Sequence, residues 1–191
     1  MGLILASASP RRSELLSRMG LEFAVRTSAC DETLDPFAAP EDEAARLSLL
    51  KARAVLPHCK KEDVIVAADT IVVCDSLMMG KPRSESDAFS MLQRLSGREH
   101  KVMTGLTVLS EKHQETVTVT TGVRMRPLSD EEIRAYIATG EPMGKAGAYA
   151  VQGLAAMFIM GVDGDYYNVV GLPVCTLTTI LRKCGIKPLG V

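Results

Sequence analysis

The sequence predicts an α/β protein, with helices packed on a mixed sheet. Two observations carry this. The first half alternates strand-like and helix-like runs in the order β-α-β-α-β, which favours helices layered on a sheet. Two later β-rich runs flank a short polar turn, a hairpin signal that argues against an all-parallel sheet.

Each element has a local reason. LILAS, from Leu3, is short and apolar on both sides, as a buried strand requires. Ser9 can cap the following helix, Pro10 suits its first position, Leu15, Leu16 and Met19 form its inner face, and Gly20 ends it. EFAVRTS, from Glu22, alternates and reads as a strand, and DETLDPFAAP reads as a loop. Glu41 to Leu56 is helical in pattern, with Ala44, Leu47, Leu50 and Ala54 inward and Pro57 as the stop. VIVAADTIVV, from Val64, is an apolar strand, and DSLMMGKP is turn-rich. Ser84 caps a helix with Ala88, Met91, Leu92 and Leu95 on one face, closed by Gly97. HKVMTGLTVLS and ETVTVTTGVRMR form the hairpin. Ser129 and Glu132 make a capping box. The Gly-rich stretch EPMGKAGAYAVQG, the run AMFIMGV, the turn DGDYYN and a last helix from Pro173 to about Lys183 complete the chain.

Composition narrows the class. The 191 residues suit one substantial domain, taken here as 1–191, and can bury a core without staples. Net charge is −1 with no long basic stretch, which argues against a broad duplex-DNA surface. Cys30, Cys59, Cys74, Cys175 and Cys184 are scattered and lack CxxC spacing, as expected of reduced thiols in a cytoplasmic protein. His58, His100 and His113 make no zinc-like pairing with them. The longest uncharged stretch, Ala146 to Val162, has 17 residues and is broken by glycines, which is short for a membrane span. The N-terminal apolar run is short and followed by basic residues, unlike a signal peptide. The P-loop, the GxSxG elbow and the GxGxxG turn are all missing.

Four features bear on chemistry. ASASPRR places the Ser7 and Ser9 hydroxyls, free helix N–H groups and the Arg11 and Arg12 guanidiniums near one spot. Helix starts attract anions and Arg forks match phosphate oxygens. The macrodipole disfavours cations there, so the two arginines either bind an anion or reach back to solvent or acidic neighbours. Asp69 interrupts an apolar strand, which is costly unless the carboxylate is paired, metal-bound or chemically used. A bulge or strand end bonding backbone N–H groups would also account for it. Asp31–Glu32 is a solvated turn by itself, yet Glu32 joined to Asp69 would suit Mg²⁺ together with water and phosphate oxygens. Lys51, Lys81 and Lys145 are each compatible with a snorkelling surface role. Together with two arginines they could surround a polyphosphate. Basic groups plus paired carboxylates, with no nucleophile motif, suit metal-assisted attack of water on a phosphoanhydride.

The motifs also carry a resemblance. LASASPRRSELL, the DE of ACDET, RLSLLKA, AADTIVV, GKPRSESDAFSMLQRLSGREHKVMTG, YIATGEPMGKAGAYAVQG and NVVGLPV, in this order and spacing, resemble the Maf family of nucleotide pyrophosphatases nearly end to end. Ala8 replaces the Gly of the family's ASGSPRR pattern, while the neighbouring serines and both arginines remain. The resemblance implies the fold shared with inosine triphosphate pyrophosphatases, an elongated mixed β-sheet flanked by helices with two lobes around a cleft. It implies hydrolysis of nucleoside triphosphates to monophosphate plus pyrophosphate with a divalent metal cation, Mg²⁺ or Mn²⁺. Asp69 would be the catalytic base or activate the water. Glu32 and Asp69 would hold the metal. Ser7, Arg11, Arg12, Lys51 and Lys81 would bind the triphosphate. Arg11, Thr70 and Gln152 match the family branch that prefers dTTP and UTP. The branch resembling 7-methyl-GTP pyrophosphatases has an aromatic after the Pro, Gln after the Asp and Glu in place of Gln152. A cytoplasmic homodimer is expected, with no nucleic-acid or membrane partner. The family's other name, septum formation inhibitor, motivates an alternative: a nucleotide-binding regulator of cell division with incidental catalysis.

Overall fold

The first helix forms where Pro10 and Gly20 punctuate the chain. In the computed structural model, which describes residues 1–27 and 29–190, strand β1 (Leu3–Leu5) leads into helix α1 (Pro10–Arg18). Gly20 takes the left-handed φ of 70° that ends the helix. Ser9 is the extended N-cap residue, but its hydroxyl makes no capping bond. Strand β2 is only Ala24–Val25, exposed on the sheet edge, although EFAVRTS alternates over seven residues. Its last residue, Ser28, lies outside the described residues.

Helix α2 (Pro40–Val55) buries Glu43, Ala44, Leu47, Ser48, Lys51, Ala52 and Val55. Leu50 and Ala54, expected inward, are half-buried. The inner face is turned because it carries polar side chains with buried partners: the Ser48 hydroxyl lies 2.8 Å from that of Thr107. Apolar periodicity cannot register such positions. Strand β3 (Val64–Cys74) follows and is buried almost throughout.

Asp75 and Ser76, at φ 49° and 65°, turn the chain into strand β4 (Leu77–Met79), antiparallel to β3. Paired left-handed residues are what a two-residue hairpin needs. Ser84 Oγ accepts from Asp87 N at 3.1 Å and starts helix α3 (Glu85–Leu95), which buries Ala88, Leu92 and Leu95. Each such leucine contributes roughly 1.5–3 kcal/mol. Strands β5 (Glu99–Leu109) and β6 (Gln114–Met125) are neighbours in the sheet, joined by a turn in which Ser110 N donates to His113 O at 2.7 Å. Helix α4 (Asp130–Ala138) has the expected capping box. Strand β7 (Ile159–Asp163) runs antiparallel to β6, with an irregularity at Arg124/Met125. DGDYYN is more than a turn: Asp165 Oδ1 accepts from Tyr167 N and Asn168 N and starts helix α5 (Tyr166–Val170). Helix α6 (Val174–Lys183) ends before Gly185.

The seven strands form one mixed sheet in the order β2-β1-β3-β5-β6-β7, with β4 paired to β3. The β1–β2 and β1–β3 ladders are parallel. The chain resolves into two compact units. The first comprises Met1–Asp69, Thr104–Val119 and Gly171–Val191; the second comprises Thr70–Met103 and Thr120–Val170. Strands β3, β5 and β6 contribute residues to both. One core of the first unit joins Ile4, Ala6, Ala52, Val55, Ile65, Ala67 and Leu109. In the same unit β5 touches α2 directly: a Cβ on Gly105 would stand 1.9 Å from Ala44 O. The core of the second unit gathers α3 and α4 side chains, among them Leu92, Leu95 and Ile133, on Val72, Val102 and Val123.

Candidate active site

In the first unit, β3 delivers a carboxylate to the interior and α2 delivers its counter-ion. Asp69 is 8% exposed within an otherwise apolar strand. A carboxylate so placed costs several kcal/mol unless paired. Lys51, on the buried face of α2, donates through Nζ to Asp69 Oδ1 and lies 3.0 Å from Glu32 Oε2. One ammonium thus bridges the two carboxylates that the sequence marks as a pair.

The loop that carries Glu32 is fastened to α2. Asp31 Oδ1 accepts from Thr33 N at 2.9 Å and from the Thr33 hydroxyl at 2.5 Å, which holds its carboxyl below the ordinary range. Arg46 Nη2 donates to Thr33 O at 3.0 Å. The Arg46 fork also grips Glu43, with Nε and Nη2 each 2.7 Å from a carboxylate oxygen, and this lowers the Glu43 pKa despite burial. Glu43 Oε1 in turn accepts from Asp35 N at 2.9 Å. In sequence neither residue is given a role: Arg46 opens the RLSLLKA motif and Glu43 precedes it, and both read as solvated residues of a helix. The only hint is that Glu43 falls next to Ala44 on the inward side.

The start of α1 gathers part of ASASPRR as expected. Ser7 Oγ accepts from Ser9 N at 3.2 Å and from Arg12 Nη1 at 3.1 Å. Arg12 Nε donates to Gly171 O at 2.7 Å. Desolvation lowers the Arg12 pKa; Asp69 and Glu32 act to raise it, and neighbouring Arg11 adds to the fall. Ser7, Arg12, Glu32, Lys51 and Asp69 therefore form one connected set, with the charge of Arg11 felt at Arg12. No acidic residue occupies the first turn of α1.

The second unit holds Thr70, Lys81 and Gln152. Thr70 is half-buried in β3, while Lys81 and Gln152 are exposed. Gly147 N donates to Gly80 O at 3.1 Å, which ties the KAGAY segment beside Lys81. Gly147 is at φ 66° and a Cβ there would lie 2.8 Å from Val72 Cγ2, so glycine is required on both counts. Lys145 Nζ donates to Met143 O at 3.3 Å. His100 Nε2 lies 2.8 Å from Tyr149 Oη, and burial pushes His100 down to about 4 and the tyrosine up.

Among the described residues there is no group of three or more His, Cys, Asp or Glu that could hold a metal. Glu32 and Asp69 still fit a hard divalent cation. Their oxygens already converge on one cationic group, and such ions take one or two carboxylates plus water and phosphate oxygens. Among the described residues no helix is long and apolar enough to cross a membrane.

A model of the Maf-like protein family matches residues 2–184. This chain belongs to the Maf-like family. Among its Maf-like relatives, a dTTP/UTP pyrophosphatase of Syntrophotalea carbinolica is 50% identical over 187 residues, covering 96% of this chain and 85% of the relative. A protein of the same name from Geobacter sulfurreducens is 49% identical, covering 96% of each chain. Another, from Moorella thermoacetica, is 45% identical over 98% of this chain and 97% of its own. The Staphylococcus aureus Ham1 protein shares the fold: TM-score 0.53 and 12% identity, over 96% of this chain and 99% of that one.

Proposed function

We propose that this Maf-like chain hydrolyses nucleoside triphosphates, dTTP and UTP preferentially, to nucleoside monophosphate and pyrophosphate. The supporting observation is the buried Asp69–Lys51 pair with its bridge to Glu32, in the same electrostatic neighbourhood as Arg12 and Arg11. The names of its full-length relatives favour hydrolysis over the regulatory reading.

Asp69 takes a proton from the attacking water as its oxygen bonds to phosphorus and the α–β phosphoanhydride breaks. Pyrophosphate departs with the electron pair of that bond. Arg11, Arg12, Lys51 and Lys81 neutralise the charge gathering on it, which is the main electrostatic task of the reaction. Ser7 orients Arg12 and can donate its hydroxyl proton to a phosphate oxygen. Glu32 and Asp69 would hold Mg²⁺ or Mn²⁺, which supplies Lewis acidity and further charge neutralisation. Arg11, Thr70 and Gln152 select the pyrimidine base; the Gln152 amide offers both a donor and an acceptor.

The proposal extends to a homodimer acting in the cytoplasm, carried by the family resemblance. The deciding experiment incubates the protein with a nucleotide panel and Mg²⁺ or Mn²⁺ and separates the products. Monophosphate and pyrophosphate are expected, fastest from dTTP and UTP. Release of orthophosphate refutes the reaction; preference for a purine nucleotide refutes the specificity. A monomeric mass by light scattering removes the dimer.

A further inference from the structure

Gln152 is exposed at the tip of a tight turn, and both flanks of that turn are tied to one pair of side chains. Gly153 N donates to Ala150 O at 2.9 Å and closes the turn. On the upstream flank, Ala150 N donates to Tyr136 Oη at 3.2 Å. On the downstream flank, Leu154 N donates to Glu141 Oε2 at 3.0 Å and Ala155 N to Glu141 Oε1 at 3.3 Å. Tyr136 Oη donates to Glu141 Oε1 at 2.8 Å and so links the two flanks.

The pair is itself held. Tyr136 is 4% exposed and meets Phe158 edge-on, with ring centroids 5.3 Å apart. Glu141 N donates to Thr139 Oγ1 at 3.2 Å, just beyond α4. Desolvation opposes ionisation of Glu141, but the hydrogen bonds from Leu154, Tyr136 and Ala155 outweigh it and keep the carboxyl below its ordinary range. A Cβ on Gly153 would stand 2.3 Å from Glu141 Oε2, so glycine lets the turn close onto the carboxylate.

A glutamine is a poor reader of a base edge unless its backbone is fixed. Its amide oxygen and nitrogen exchange roles on a half-turn, so donor and acceptor are assigned only by geometry. We propose that Glu141, together with Tyr136, is a positioning residue for substrate specificity: the pair fixes the backbone on both sides of Gln152, so that its amide meets the pyrimidine edge in one register. This rests on the base-reading role given to Gln152 above.

The test measures kcat and KM for dTTP and GTP on the wild type, Glu141→Gln, Tyr136→Phe and Gln152→Ala, and on each clamp substitution combined with Gln152→Ala. Circular dichroism confirms folding. Tyr136→Phe keeps the ring on Phe158 and removes only the hydroxyl, so it serves even if Glu141→Gln fails to fold. Each clamp variant should lower the dTTP:GTP ratio of kcat/KM about tenfold. In the Gln152→Ala background neither should lower it further, because the residue they position is gone. General structural damage slows both nucleotides alike, and an unchanged ratio in the single clamp variants overturns the proposal. Effects that add to that of Gln152→Ala also overturn it. An unchanged ratio in Gln152→Ala alone is a different failure: it removes the base-reading role, and the clamp's purpose with it.

Discussion

Replacing Lys51 with methionine keeps the length of the stem and deletes the ammonium. Its side chain is 10% exposed and that of Asp69 is 11%, whereas Glu32 is 40% exposed. Removing one partner of a buried pair typically costs about 3–5 kcal/mol, because the remaining charge stays desolvated. Losing the half-exposed contact to Glu32 adds at most about 1 kcal/mol. With water still reaching a tenth of each buried group, a loss near the lower end is expected, about 3 kcal/mol. For a chain of this size that lowers Tm by about 6–12 °C. The assay is urea unfolding at pH 7 followed by circular dichroism, with Arg18→Gln as the reference. Arg18 pairs with Glu14 at 61% and 54% side-chain exposure, so its loss should stay within about 0.5 kcal/mol. Lys51→Met should also bind substrate more weakly and turn it over more slowly. With the ammonium gone, Mg²⁺ should raise the Tm of the variant more than that of the wild type. A variant as stable as Arg18→Gln would refute the view that Lys51 compensates a buried carboxylate.

Asp69→Asn should lower kcat by about 10²–10⁴ with the circular dichroism spectrum unchanged, and normal kinetics would remove Asp69 from the chemistry. Lys81→Ala should raise KM for dTTP, measured by steady-state pyrophosphate release; an unaltered KM would take Lys81 out of the binding set. Gly105→Ala forces a methyl to 1.9 Å from a backbone oxygen and should cost at least about 3 kcal/mol in the same urea assay. His100 gives a pH dependence. Burial lowers it from 6.5 to about 4, so the unfolded chain binds the proton first as pH falls. The neutral-state contribution is whole above about pH 6.5 and is lost down to about pH 4, amounting to about 3 kcal/mol. His100→Gln should lack it, and a wild-type-minus-variant difference that stays constant from pH 7 to pH 4 would contradict this.

Much of the fold is written locally. Pro10 brackets α1 by its fixed φ and Gly20 by its left-handed one, while Ser84 caps α3 and the Ser129–Glu132 box begins α4 by receiving N–H groups within three residues. Asp69 is conspicuous for a different local reason, a charge inside an apolar strand. What stays hidden is either too short to carry a pattern or dependent on tertiary partners. Strand β4 lies in a stretch rich in turn residues, and its hairpin uses Asp75 and Ser76 where glycine or asparagine would have announced it. Helix α5 has a local start, the Asp165 carboxylate receiving two N–H groups, but its five residues are too few to carry a helical pattern. The inward face of α2 departs from the apolar pattern because its polar members have partners there: Arg46 for Glu43, Thr107 for Ser48 and Asp69 for Lys51. Glu43, Arg46 and Glu141 look like ordinary surface charges until the loops they fasten are seen.

The two anchors of the charged set differ in when a growing chain can make them. Lys51 and Asp69 are 18 residues apart, so the two partners emerge close together. The carbonyl that receives Arg12 Nε belongs to Gly171, 159 residues downstream. During synthesis the ammonium and the carboxylate are therefore both present before Gly171, for which Arg12 must wait. A product stopped before Gly171 contains both Lys51 and Asp69 but leaves this arginine without its carbonyl seat. The seat of a single guanidinium thus joins residues 159 positions apart, whereas the ammonium's partner lies 18 away.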